Sequence, residues 1–406
     1  MKVQSHRIVL LSLLVFALCA TAPQEATPVL AAHPCLTADY QQSQGNANRE
    51  SFEKLTARAQ AALDAERIPE AIRLYRRATK LRSDWPEGWW HLGTLFFDAR
   101  RFGDARDSFA HFVSTERKQP GPGFAMLGLS EFQLANYAKA LGALETSIKL
   151  GIGTDPAFIR DVLFHDGILN TQLGRPEIAL QRLTLAANQI AAASPQSPKE
   201  AVFADLELLD AFGLAALRIP KLPSNLTSAQ IPLIRRAGRA QALIALQDRV
   251  AAEMEFKQLV ALYGSKPGVN YMYGVFLMKE HPPLAIDAFY REIEVSPSNA
   301  AARIQLALEF LRTGEYEPGL KYAKEAVELA PENFIAHVVC GRLWQETGQT
   351  DRALQELRLA VKLAPGSPDA HFALSRALSE AGRESEAVRE RAEFERLKAL
   401  TDAADR

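Results

Sequence analysis

Apolar residues return along this chain at helical spacing, in paired runs, and the pair recurs every 34 residues. Punctuation keeps the phase. Pro297, Pro331 and Pro365 fall in step, as do Gly314, Gly348 and Gly382; Ala353 with Ala387 and Ala71 with Ala105 hold the same spacing. With that alanine taken as position 20, units start near Phe52, Pro86, Gly121, Arg160, Leu233, Lys266, Ala300, Phe334 and Pro368. Small residues stand at positions 8, 20 and 27, and bulky ones at 4, 11 and 24. Each unit therefore predicts two amphipathic helices that approach closely at the small positions and fill the gaps with the bulky ones. Glycine at position 15 takes the left-handed conformation that ends the first helix, and proline at 32 stops the second. No unit can bury its apolar faces alone, so neighbours must supply the cover.

The unit from Pro86 carries Trp89, Leu92-Gly93, Phe96, Ala105 and Phe109; that from Gly121 carries Leu127-Gly128, Tyr137 and Ala140. The unit from Ala300 carries Leu306-Ala307, Phe310, Gly314, Tyr316, Ala326 and Pro331, and that from Phe334 carries Cys340-Gly341, Trp344, Gly348, Ala353, Ala360 and Pro365. Over about residues 51–190 and 233–400 this pattern resembles the tetratricopeptide repeat (TPR). The resemblance implies an all-α right-handed TPR solenoid of about eight to ten helix-turn-helix repeats, in one stack or two blocks. It is a resemblance to the repeat family, with no single characterised protein matched.

The register slips in the middle. Residues 51–194 form an N-terminal repeat block and 233–401 a C-terminal one, with a degenerate repeat and a proline-rich loop over 195–232. Within that segment Ala201 to Arg218 reads as one amphipathic helix, with Phe203, Leu206, Leu209, Phe212 and Leu217 on one side. Asn225-Leu226-Thr227 matches a glycosylation sequon. Arg383 to Leu400 is dense in charge, with Val388, Phe394 and Leu397 on one apolar side, as the capping helix of a solenoid end requires.

Lys2 and Arg7, an apolar run from Ile8 to Ala20 and then small residues and prolines are the order of a signal peptide. The run is too short to span a bilayer, which takes about 20 residues. The reading assigns 1–32 to the signal, cleaved after Ala20-Thr21-Ala22 or near Val29-Leu30-Ala31, and 33–50 to a polar, disordered leader. Leu18 argues against lipidation at Cys19. The expected location is periplasmic or secreted, with no stable membrane span once the signal is gone. Cys35 and Cys340 then remain, read as free thiols, the second buried in a repeat helix. With 47 basic and 48 acidic residues the net charge is −1, which gives no sign of a nucleic-acid binder.

Candidate chemistry changes little. No zinc motif, Cys-x-x-Cys pair, nucleophile elbow or phosphate loop is present, so the reading is of a non-enzyme with no catalytic residue, metal or cofactor. Gly121-Pro122-Gly123 and Gly151-Ile152-Gly153 read as turn glycines. His337 and His371 lie 34 residues apart, but both fall at the packing position 4, and a zinc site wants three or four ligands. They read as structural, as do His91 and His165.

In TPR proteins positions 2, 5, 9, 12 and 13 of the first helices face ligand. Carried over, they give Trp90, Thr94, Phe97 and Asp98; Ala125, Leu129, Phe132 and Gln133; and Phe164, Ile168, Thr171 and Gln172. That groove is aromatic and departs from the lysine- and asparagine-lined grooves that clamp a C-terminal carboxylate. At the other end the same positions give Arg342 and Arg376, with Gln345, Glu346 and Glu380 nearby. These arginines suit an acidic group or pair with the neighbouring glutamates. The N-terminal groove either stands open to a peptide with apolar anchors, or is filled by the loop carrying Ile219, Leu222, Leu226 and Ile231. The resemblance implies an exported bacterial adaptor of envelope assembly, secretion or polysaccharide export, recruiting a protein or peptide through its concave groove. A glycan-binding or enzyme-accessory module and a self-associating solenoid are the alternatives.

Overall fold

The computed structural model describes residues 52–404; the stretches read as signal and leader, and Cys35, lie outside them. Among the described residues there are twenty α-helices and no strand. They fall into two compact units that divide at Pro198, within the segment where the repeat register slips.

The first unit holds α1 (52–64), α2 (Ile68–Leu81), α3 (Pro86–Asp98), α4 (Phe102–Thr115), α5 (Gly121–Gln133), α6 (Tyr137–Leu150), α7 (Pro156–Gln172) and α8 (Pro176–Ala193). The second holds α9 (Pro198–Ala204), α10 (Leu206–Ala216), α11 (Ile231–Ala245), α12 (Arg249–Tyr263), α13 (Val269–Leu277), α14 (Pro282–Val295), α15 (Ala300–Thr313), α16 (Tyr316–Leu329), α17 (Phe334–Glu346), α18 (Thr350–Leu363), α19 (Pro368–Glu380) and α20 (Glu384–Ala404). Consecutive helices pack on one another from α2 to α8 and from α10 to α20, which is the TPR α-solenoid arrangement.

The small residue at position 8 has a specific partner. A Cβ on Gly93, Gly128, Gly167 or Gly341 would lie 2.6–2.8 Å from Phe109, Leu144, Leu183 or Leu357 respectively, each the bulky residue at position 24 of the same repeat. The pair locks the two helices of a hairpin, and all four bulky residues are fully buried. The turn at position 15 is equally regular but needs no glycine. Gly174, Gly314, Gly348 and Gly382 have positive φ there, and so do Glu66, Arg100, Ala135 and Gln247.

The middle departs from the sequence reading. The helix expected over Ala201–Arg218 is broken at Asp205, whose carboxylate accepts the Leu208 N–H at 3.0 Å and starts α10 anew. Leu209, Phe212 and Leu217 are buried as expected, whereas Leu206 is 48% exposed. Arg218 then takes a positive φ as if to begin a second helix. A 3-10 turn, Pro223–Asn225, follows and packs back on α10, with Leu222 buried. α10 and α11 touch backbone to backbone: a Cβ on Gly213 would meet the Ile234 carbonyl oxygen at 1.9 Å, and one on Gly238 the Leu209 oxygen at 1.8 Å. Buried Glu292 closes the N-terminus of short α13, accepting the N–H groups of Gly268 (2.7 Å) and Tyr271 (3.2 Å) and the Asn299 amide (2.9 Å).

Three further expectations are corrected. α7 begins at Pro156, four residues ahead of the frame read from Arg160, because Asp155 caps the Phe158 N–H at 2.8 Å. Gly121 and Gly123 belong to the first turn of α5, where Gly123 makes room for Phe112, while Gly151 and Gly153 are turn glycines. Val388 on α20 is 58% exposed, so the apolar side of that helix is narrower than the pattern implied.

Candidate functional site

The first helices α15, α17 and α19 bring one groove together in the second unit, a cavity of about 460 Å³. Its floor is Leu308, Val338, Val339 and Ala373, with Ile335 and Phe372 standing 43% and 40% exposed above it. Arg342 and Arg376, at the same position of successive repeats, line it beside Asp369 and Gln345. Glu380 sits 3.7 Å from Arg376, both about half exposed, which is a weak pairing. Arg342 has no carboxylate within ion-pair reach among the described residues, Glu346 included. The Gln345 amide nitrogen is buried with no hydrogen-bond acceptor among the described residues. Phe372 leans on Phe394 of α20, ring centroids 5.1 Å apart, so this anchor is held in place from outside the groove.

The aromatic residues read for the N-terminal groove are placed differently. Trp90 meets Phe109 and Phe112 of its own repeat at 5.7 and 5.2 Å, and Phe97 meets Phe102 at 5.3 Å. Phe132 packs on Tyr137 at 5.8 Å and on His165 of the next first helix at 4.8 Å. Phe164 also contacts His165, at 5.4 Å. All four are half-buried, and Ile168, 4% exposed, belongs to the interior. The structure thus brings Arg342 and Arg376 into one cavity, while Trp90, Phe97, Phe132 and Phe164 each pack on other aromatic rings and stay partly exposed.

The histidines are structural. His337 Nδ1 lies 2.6 Å from Glu356 Oε2 and its Nε2 2.8 Å from the Pro331 carbonyl. His371 repeats the arrangement on Glu390 (2.6 Å) and Pro365 (3.1 Å). Each ring thereby ties a first helix to its second helix and to the preceding turn. His91 stacks on Tyr75 at 4.7 Å, and burial pushes its pKa down to about 4. Cys340 is buried, and burial pushes its thiol up to about 12, which keeps it protonated and inert. Among the described residues no group of three His, Cys, Asp or Glu could hold a metal ion. Nor is any described helix long and apolar enough to cross a membrane.

The family model described as tetratricopeptide repeat matches residues 56–120 and 304–368. Similar solved structures include a MamA double mutant (RS-1 ArsTM), 17% identical, covering 42% of this chain and 96% of that one with a TM-score of 0.38. MamA from Desulfovibrio magneticus RS-1, residues 41 to the end, is likewise 17% identical, covering 42% and 97% with a TM-score of 0.38. Yeast Tom70 is 14% identical over 88% of this chain and 96% of its own, with a TM-score of 0.35. No curated protein matches.

Proposed function

Because this chain is built of tetratricopeptide repeats, a scaffold for binding other proteins, we propose that it is a non-catalytic adaptor working outside the cytoplasm, which holds a partner by a short segment in the groove of α15, α17 and α19. One observation carries the reading. Ile335 and Phe372 are large apolar side chains left 43% and 40% exposed in a concave cavity, with Arg342 and Arg376 beside them. Two partner anchors buried there at about 2 kcal/mol each supply about 4 kcal/mol, the equivalent of millimolar binding, and contacts with Arg342 and Arg376 add to it. Export rests on the N-terminal sequence, basic residues followed by a short apolar run, and assigns the protein to the periplasm or the medium.

The test is affinity capture from envelope extract by the mature chain, beside Ile335→Ala/Phe372→Ala and Trp90→Ala/Phe132→Ala variants. A partner lost by the first double variant and kept by the second supports this groove. Loss by the second alone returns the site to the N-terminal aromatics, and equal capture by all three removes the concave face altogether. Fractionation of cells making the full chain tests export; retention of the uncleaved protein in the cytoplasm would refute it.

A further inference from the structure

A cavity of about 590 Å³ lies outside that groove, between the outer face of α2 and the start of α4. Its floor is apolar: Ile68, Pro69, Ile72 and Ala99. Its rim is cationic: Arg73, Arg76, Arg77, Lys80 and Arg101. Residues 67–82 carry six Lys or Arg and one acid, Glu70, in a chain whose net charge is −1. Positive charge is therefore gathered at this place well beyond the chain's average.

The five rim cations are not equivalent. Arg76 and Arg101 share Asp104, at 3.4 and 2.6 Å, and both guanidinium groups lie over the Phe96 ring at 4.9 and 4.7 Å. They are anchored. Arg73, Arg77 and Lys80 are exposed and have no carboxylate within ion-pair reach among the described residues. At helical rise they line up along about 10 Å of one face. Like charges at this spacing work against the helix by a few tenths of a kcal/mol per pair. An anionic ligand reverses that cost, and the apolar floor says that the ligand also carries an apolar group.

We propose that the α2 face is a second docking surface, for a peptide segment that places an apolar side chain on Ile68 and Ile72 and two or more carboxylates against Arg73, Arg77 and Lys80. Carboxylates fit guanidinium groups two-pronged, and side chains one helical turn apart match the spacing of the three cations. A bilayer fits less well, since the lining offers no Trp, Phe or Leu to insert among the headgroups. Nucleic acid fits less well again: Phe96, the aromatic ring beneath the rim, is 2% exposed and offers no stacking face.

The test is selection from a displayed library of short random peptides at about 150 mM salt, using the mature chain and an Arg73→Gln/Arg77→Gln/Lys80→Gln variant. All three residues are exposed and repel one another, so the variant melts no lower than the parent. The expected result is a set of peptides rich in Asp or Glu around a Leu, Ile or Phe, whose affinity the variant loses by about tenfold or more. The same peptides lose affinity as salt rises. Ile72→Ser weakens them with the salt dependence intact, and Ile335→Ala/Phe372→Ala leaves them unchanged, which separates this surface from the groove. Identical pools from parent and variant would overturn the proposal, as would a variant-sensitive pool with no acidic enrichment. So would sedimentation with phosphatidylglycerol vesicles that the triple variant abolishes, which would assign the surface to a membrane.

Discussion

Asp166 on α7 is fully buried, and its environment satisfies half of it. Oδ1 accepts from Asn170 Nδ2 at 2.9 Å and Arg182 Nε at 3.2 Å, while Oδ2 is buried with no partner among the described residues. Burial pushes this carboxyl up to about 6, against the pull of Arg182 and with a further push from Glu145. A folded-state pKa above the unfolded one means that the native chain takes up the proton first as pH falls. The resulting stability is fully present below about pH 4 and lost as pH rises through about 6. A carboxyl that titrates near 6 in the folded chain and near 4 in the unfolded one accounts for about 3 kcal/mol between those limits. His91 in the same unit works in the opposite sense: held near 4 by burial, it contributes stability above about pH 6.5 that is lost as pH falls through 4. The two slopes offset one another in the parent protein. Asp166→Asn keeps the shape and removes the charge. Arg182, 22% exposed, can turn to water, and its pull is already inside that net shift; the new amide NH2 at the buried, partnerless Oδ2 position costs about 1 kcal/mol. The variant should be about 2 kcal/mol more stable than the parent at pH 7.5. It should also lose stability on acidification from pH 6.5 to 4 more steeply, because the His91 slope is then unopposed. Urea unfolding followed by tryptophan fluorescence measures both, since Trp85, Trp89 and Trp90 report the first unit. A variant less stable at pH 7.5, or parallel pH profiles, would refute the reasoning.

The remaining predictions concern packing and reactivity. Gly213→Ala should destabilise the second unit by about 3 kcal/mol or more, because its Cβ would lie 1.9 Å from a backbone oxygen that cannot move aside. The same change at Gly142, which meets nothing within 4 Å in the middle of α6, should stabilise by about 0.5–1 kcal/mol. Denaturant curves that move both variants in one direction would contradict this. His337→Ala should cost about 2 kcal/mol, and a double-mutant cycle with Glu356→Gln should show a coupling above about 0.5 kcal/mol; strict additivity would show the 2.6 Å contact to be idle. Cys340 should resist iodoacetamide at pH 8 in the native protein and react once unfolded, as peptide mass mapping shows; native labelling would mean that its helix opens readily.

The repeat was legible because its physics is local. A glycine or alanine at position 8 and a bulky residue sixteen places on must meet wherever two short helices fold back, so the sequence shows the pair whatever surrounds it. Non-glycine residues at the left-handed turn were harder to see, since Glu66, Arg100, Ala135 and Gln247 carry no signature of the φ they adopt. Stack cover holds them there, against a local cost of about 1 kcal/mol each. The aromatics of the first unit were found in the sequence, yet their partners were not: Phe132 meets His165 from 33 residues away, a contact made by packing between repeats. The cations of α2 are plain in the sequence but vanish in a net charge of −1, and only the lack of facing carboxylates among the described residues gives them weight.

The hairpin pairs and the all-α class therefore follow from the sequence alone, because spacing along a helix decides which residues share a face. Tertiary structure decided everything that depends on what lies opposite. It set the backbone contact of Gly213 and Gly238, the capping of α13 by Glu292, the half-satisfied Asp166, and the gathering of Arg342 and Arg376 beside Phe372 in one cavity. Those turn on the distance between elements far apart in the chain, and no local pattern carries that distance.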